Sequence, residues 1–216
     1  MFFDCGRPDD RERGLAAAVT AVRDGELVVL PTDTVYGLGA DAFAPGAAQR
    51  LLDAKGRGRH MPPPVLVDSW TALGRLALTL PDSARDLADA FWPGALTLVL
   101  RHDPAVPLDL GDFGGTVAVR MPQHPLALEL LRRTGPMAVS SANLTGQPSA
   151  TTAAQARDQL GAAVRVYLEA GPAPDPVPST IVDLTGERPR MLRAGAVPLE
   201  KLGDVVPALL RPDEVS

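Results

Sequence analysis

Cysteine occurs once in this 216-residue sequence, at Cys5, so no disulfide can form within the chain and no Cys-x-x-Cys or Cys/His metal spacing exists. Aromatic residues make up only 4% of the chain, which leaves Leu, Val and Ala to fill its core. No apolar run reaches the roughly 18 residues of a transmembrane helix. The opening M-F-F-D-C-G-R-P-D-D lacks the basic-then-apolar order of a signal peptide. A soluble, cytoplasmic protein with no membrane association is expected. An excess of positive charge is missing as well: the formal net charge is -5. That balance argues against a surface built for general nucleic-acid binding, and any weak tRNA or RNA contact has to use a local basic patch.

Two further scarcities are informative. Of 21 lysine and arginine residues only Lys55 and Lys201 are lysine, and Asn143 is the sole asparagine. A chain that uses arginine by default has placed a compact point charge at position 55.

What is present is a 45% hydrophobic chain long enough to bury a sizeable core. Apolar spacing predicts helices over residues 10–24, from 45 to 55, near 69–78, and over 81–91, 125–132, 151–161 and 199–210. Strands are predicted over 26–30, 65–67, 95–100, 116–120, 137–140, 164–168, 180–184 and 190–193, with a brief one at Val35-Tyr36. Residues 102–115 and 171–178 read as loops. Helices and strands alternate, but several strand pairs are joined by turns alone. The expected fold is therefore α/β, a single domain with a twisted mixed parallel/antiparallel sheet flanked by helices. Residues 10–210 form that domain, residues 1–9 a loose N-terminal extension and residues 211–216 a C-terminal tail.

Two stretches carry chemistry. Residues 31–59 begin as a polar, glycine-rich turn after an apolar run and end in Lys55, Arg57 and Arg59, with His60 beside them. One reading of Lys55-Gly56 is an ordinary helix end, a cation complementing the dipole and a glycine stopping the helix, worth under ~1 kcal/mol. That reading leaves Arg57 and Arg59 unexplained. Three cations within five residues repel one another, and an anionic ligand converts the repulsion into binding. The second stretch, Ser140-Ser141-Ala142-Asn143, is either a plain turn or a set of hydroxyls and an amide at the end of a core strand, where open α/β sheets bind ligands. Neither G-x-x-x-x-G-K-[ST] nor G-x-G-x-x-G occurs, so a nucleotide has to be held by side chains and turns. H-E-x-x-H and G-x-S-x-G are absent too. Asp109 and Asp112 are either Mg²⁺ ligands beside phosphates or a solvated loop.

Taken together, P-T-D-T-V-Y-G-L-G-A-D-A from Pro31, the K-x-R of Lys55 and Arg57, F-W-P-G-A-L-T from Phe91, T-V-A-V-R-M-P from Thr116, S-S-A-N-L-T-G from Ser140 and P-S-T-I-V-D from Pro178 resemble the YrdC/Sua5/TsaC family, in the same order, over residues 10 to 200. The resemblance implies an L-threonylcarbamoyladenylate synthase: L-threonine, bicarbonate and ATP give threonylcarbamoyl-AMP and pyrophosphate, for modification of the tRNA adenosine beside the anticodon by a downstream threonylcarbamoyl transferase complex. By the same resemblance Lys55 and Arg57 are the catalytic cations, ATP is held by these two with Arg59, Thr116, Ser141, Asn143 and Arg193, and L-threonine by Thr32, Arg120 and Ser179. Mg²⁺ would arrive with ATP and need no dedicated protein site. The chain resembles the short, TsaC-type form. It departs from the family in having Gly58 where many members have proline, and Asp68 where a threonine-contacting histidine is expected. Two alternatives stand beside this reading: a double-stranded RNA-binding or ribosome-assembly module without turnover, and a related carbamoyl-adenylate-forming domain.

Overall fold

The computed structural model describes residues 1–112, 114–174 and 176–211. In chain order the elements are β1 (Phe2–Asp4), α1 (Pro8–Arg23), β2 (Val28–Leu30), β3 (Gly37–Asp41), α2 (Ala47–Lys55), β4 (Val65–Leu66), α3 (Trp70–Gly74), α4 (Asp82–Phe91) and β5 (Leu96–Arg101). There follow β6 (Thr116–Arg120), α5 (Pro125–Thr134), β7 (Met137–Ser141), α6 (Ala153–Leu160), β8 (Val166–Glu169), β9 (Thr180–Asp183), β10 (Arg190–Arg193) and α7 (Leu199–Val205). The strands form one ten-stranded sheet in the order β1-β8-β2-β3-β7-β4-β6-β5-β9-β10. Parallel pairs (β1/β8, β2/β8, β4/β6, β5/β9) mix with antiparallel ones (β2/β3, β3/β7, β4/β7, β5/β6, β9/β10), as the turn-only connections required.

The two faces of the sheet are treated differently. On one face α2 and α6 cover the β8–β3 half through Leu51, Ala153 and Ala156. There α3, α4 and α7 cover the other half through Leu73, Leu87 and Leu202, against Leu96, Leu98, Val117, Val119 and Val182. On the opposite face α1 and α5 pack Leu15, Val22, Leu126 and Leu130 onto Val28, Leu66, Met137 and Val139. Among the described residues no helix continues that layer over β6, β5 and β9. The burial pattern records the gap: Val117, Val119 and Val182 are buried, whereas Ala118, Val99 and Ile181, pointing the other way, are only half-buried. The uncovered part of this face is the floor of the site described below.

Three expectations needed correction. Residues 2–4, set apart with the N-terminal extension, form an edge strand paired in register with Tyr167, Leu168 and Glu169, and Cys5 beside them is buried. The brief strand expected at Val35-Tyr36 falls instead at Gly37–Asp41, in the segment read as a polar, glycine-rich turn. Those glycines serve close packing. A Cβ on Gly37 would lie 2.6 Å from Cγ1 of Val139, and one on Gly39 2.8 Å from Cε of Met137, both on the neighbouring β7. Finally, α2 starts at Ala47 after Gly46, which takes a left-handed conformation with φ of 77°. Phe113 and Asp175, inside the loops expected over 102–115 and 171–178, and the tail beyond Arg211 lie outside the described residues.

Candidate active site

The site is assembled at the end of α2, where the two stretches singled out in the sequence meet. At the start of that helix the Gly46 N–H donates to Oδ2 of Asp109 at 2.8 Å, so the carboxylate considered as a metal ligand is a helix cap. At its end Gly56 turns left-handed (φ 62°) and the Arg57 N–H closes back on the Leu52 carbonyl at 2.9 Å. The last helical residue, Lys55, is only 3% exposed. It is no surface cation complementing a dipole. Its Nζ donates to the carbonyls of Ser141 and Asn143 (2.7 Å to the latter) and to Asn143 Oδ1 at 3.1 Å. These three acceptors use all three ammonium protons. The Asn143 amide donates in turn to the carbonyls of Leu144 at 2.9 Å and Gln147 at 2.7 Å. The sole asparagine and one of the two lysines thus lock α2 to the turn after β7. Burial first, and Arg57 second, push the Lys55 amine down to about 8.

Beyond this lock lies a cleft of about 330 Å³ over the uncovered strands. Three guanidiniums line it: Arg57, Arg120 and Arg193. Arg57 donates from Nη1 to Ser140 Oγ at 3.1 Å, and its buried Nε has no hydrogen-bond partner. Arg120 is held on three sides: Nε to the Gly94 carbonyl (2.9 Å), Nη1 to Thr34 Oγ1 (2.9 Å) and Nη2 to Asp33 Oδ1 (2.7 Å). Arg193 donates from Nη2 to the Ser179 carbonyl at 2.7 Å and to Ser179 Oγ at 3.1 Å, and that hydroxyl lies 2.8 Å from Thr97 Oγ1. Burial pulls all three arginines below the ordinary guanidinium value, and the charge of Arg120 pushes Arg193 down further. Among the described residues no aspartate or glutamate lines the cleft. In a chain with 26 acidic residues and 21 Lys+Arg, that makes a site for anions.

The residues anticipated from the sequence divide into three groups. Thr32, Arg57, Arg120, Ser141, Ser179 and Arg193 line the cleft. Lys55 and Asn143 stand behind its wall, bonded to each other rather than presented to a ligand. Arg59 is an outer-surface residue, donating to Gln49 at 2.7 Å and paired with Asp112 at 3.5 Å. Thr116 shares the face of Ala118 and Arg120 but lies beyond the lining. The Thr32 hydroxyl has no free capacity. It donates to the Val35 carbonyl at 2.6 Å, accepts the Thr34 N–H at 3.2 Å and meets Thr34 Oγ1 at 3.1 Å. Asp68 accepts from the Ser69 hydroxyl and does not reach the lining, where Leu66 of the same strand region does. Sequence reasoning singled out Ser140 with its turn but gave it no role beside Arg57, and it missed Asp33, Thr34 and Thr97. Only the first two carried a signal, their place beside Thr32 in the polar turn. Among the described residues no cluster of three or more His, Cys, Asp and Glu could hold a metal ion, and no helix is long and apolar enough to cross a membrane.

The fold and cleft define an α/β protein with a guanidinium-lined cleft on the open half of a mixed sheet. A family model named Sua5_yciO_yrdC, described as telomere recombination, matches residues 20–195, and the chain belongs to this family. A Mycobacterium tuberculosis relative, named provisionally as a threonylcarbamoyl-AMP synthase, is 57% identical over 204 residues, covering 94% of each chain. The Pyrococcus abyssi threonylcarbamoyl-AMP synthase is 41% identical over 186 residues, 86% of this chain and 55% of its own length. The crystal structure of Pyrococcus abyssi Sua5 complexed with L-threonine superposes with a TM-score of 0.88 at 39% identity, over 93% of this chain and 59% of the other. This chain therefore spans little more than half of the Pyrococcus protein and nearly all of the mycobacterial one.

Proposed function

We propose that the chain is a threonylcarbamoyl-AMP synthase. The observation that carries the reading is the cleft lined by three guanidiniums and, among the described residues, by no carboxylate, because every reactant of that synthesis is an anion or carries a carboxylate. The amine of L-threonine attacks bicarbonate, losing water, to give a carbamate. A carbamate oxygen then attacks the α-phosphorus of ATP, the bond to the bridging oxygen breaks, and pyrophosphate leaves with the electron pair. Such a reaction needs positioning and charge stabilisation more than covalent help from the protein.

Arg57, with an unpartnered buried N–H, and Arg193 are suited to phosphate and carbamate oxygens. Arg120 has five N–H groups and three are bonded within the protein, leaving two for the threonine carboxylate. Ser141 and Ser179 offer hydroxyls to nucleotide and amino acid. Lys55 and Asn143 act from one layer back, holding the turn and adding charge through it. Since the cleft offers no carboxylate, Mg²⁺ would be held by the phosphates of ATP. The product, a mixed anhydride prone to hydrolysis, would pass in the cytoplasm to a threonylcarbamoyl transferase complex acting on tRNA.

The test is pyrophosphate release from Mg²⁺-ATP with threonine, serine or no amino acid, each with and without bicarbonate. Release that depends on both threonine and bicarbonate is expected. A folded protein releasing none, or releasing it equally without an amino acid, would overturn the assignment.

A further inference from the structure

The P-T-D-T turn contains a carboxylate that the reaction as described does not use. Asp33 is well buried, its side chain 12% exposed, and does not line the cleft. Its Oδ1 accepts from Arg120 Nη2 at 2.7 Å and from the Gln123 backbone N–H at 2.9 Å. The second contact fixes the carboxylate to the backbone just beyond β6, so Asp33 cannot follow Arg120 if the guanidinium swings.

The other two acceptors on Arg120 are equally constrained. Gly94 donates its own N–H to the Met121 carbonyl at 2.8 Å, and a Cβ there would lie 2.4 Å from the Phe91 carbonyl oxygen. The proton of Thr32 goes to the Val35 carbonyl, so the Thr34 hydroxyl must donate to Thr32 and receive from Arg120. A directed chain therefore runs from Arg120 through Thr34 and Thr32 into the turn backbone. Three acceptors from separate segments fix both the plane and the rotation of one guanidinium, and the two remaining N–H groups acquire a set direction.

We infer that Asp33 is a positioning residue for amino-acid recognition, acting through Arg120 on the substrate carboxylate. The inference rests on the proposed function and adds to it the residue that gives the carboxylate contact its geometry. A long arginine side chain left free would bind the carboxylate only after losing its own rotamer freedom. Asp33 imposes that loss during folding.

The experiment compares Asp33→Ala and Asp33→Asn with the unmodified chain in threonine-dependent pyrophosphate release, reading KM for threonine, KM for ATP and kcat separately. Asp33→Ala should raise the threonine KM by about tenfold or more, the loss of one charge-assisted hydrogen bond, with the ATP KM within about twofold. Asp33→Asn keeps an oxygen that can accept from Nη2 and should recover most of the loss. An unchanged threonine KM in Asp33→Ala, an asparagine variant no better than alanine, or an equal rise in both KM values would overturn the positioning role. If Asp33→Ala does not fold, Asp33→Asn set beside Arg120→Lys decides. An asparagine variant with a threonine KM as poor as that of the lysine variant refutes the role, and one near the unmodified chain supports it. No threonine-dependent release from the unmodified chain would instead overturn the proposed function, and the inference with it.

Discussion

Replacing Lys55 by methionine separates two consequences of the buried ammonium. Holding this lysine near 8 rather than its ordinary 10.5 costs up to about 3 kcal/mol of folding free energy at neutral pH. The three oxygen acceptors already work against that cost, so the figure is an upper bound. Methionine removes it but leaves the carbonyls of Ser141 and Asn143 and Asn143 Oδ1 unpaired, at about 1–2 kcal/mol each. Because the relief is at most about 3 kcal/mol, the balance is a loss of roughly 0–6 kcal/mol, a fall in Tm of up to about 25 °C for a chain of this size. Catalysis should suffer far more, by about a hundredfold or more in threonine-dependent pyrophosphate release, because the turn carrying Ser141 and abutting Arg57 is no longer tied to α2. The pH dependence has a definite sign. Lys55 has a lower pKa folded than unfolded, so between about 8 and 10.5 the unfolded chain binds more protons, and this residue's contribution to stability improves as pH rises. Over the same range the amine loses the proton that satisfies its third acceptor, so activity should fall as pH passes about 8. Denaturant unfolding of the unmodified chain and of Lys55→Met at pH 7.5 and 9.5, alongside pyrophosphate assays, gives both readouts. A folded Lys55→Met protein within tenfold of normal activity would refute the reasoning.

Two other changes test the frame around the site. Gly37→Ala would drive a methyl to 2.6 Å from Val139 Cγ1 and should cost about 1–3 kcal/mol in thermal unfolding, with Val139→Ala in the same chain restoring part of it; additive losses in the double variant would contradict the contact. Tyr36→Phe removes a buried hydroxyl set 2.8 Å from Glu169 Oε1, 2.6 Å from the Gly171 carbonyl and 3.0 Å from the Ala170 N–H. Urea unfolding should show a loss of about 1–3 kcal/mol, and no loss would mean that this knot contributes nothing net.

Much of the frame was legible because apolar runs with a single period dictate it. The strands at Leu96–Arg101 and Thr116–Arg120 alternate as their burial requires, and helix stops at Gly56 and Pro93-Gly94 fall where backbone chemistry puts them. The edge strand Phe2–Asp4 was not legible, since three residues carry no period and its partner lies 165 positions away at Tyr167. At Gly37–Asp41 the glycines were mistaken for turn residues because their reason, the side chains of Val139 and Met137, belongs to another strand. The site followed the same rule. The clustering of Lys55 with Arg57 and the scarcity of lysine and asparagine pointed to the end of α2, beside the cleft, but not to the bond between Lys55 and Asn143 that turns both away from it. Asp33 meets Arg120 and Thr97 meets Ser179 only once the folded chain brings those pairs together.

The distribution of charge also sorts ligands by length. The chain as a whole carries a net charge of -5, while three of its arginines line a cleft of about 330 Å³. A nucleotide or an amino-acid carboxylate, small enough to enter that cleft, meets the guanidiniums. A nucleic-acid strand longer than the cleft would also meet the rest of a molecule whose net charge is -5, and would gain less from the cleft than a small anion does. Opposite signs of charge in the cleft and over the chain as a whole would thus favour small anions over polymeric ones with no moving part.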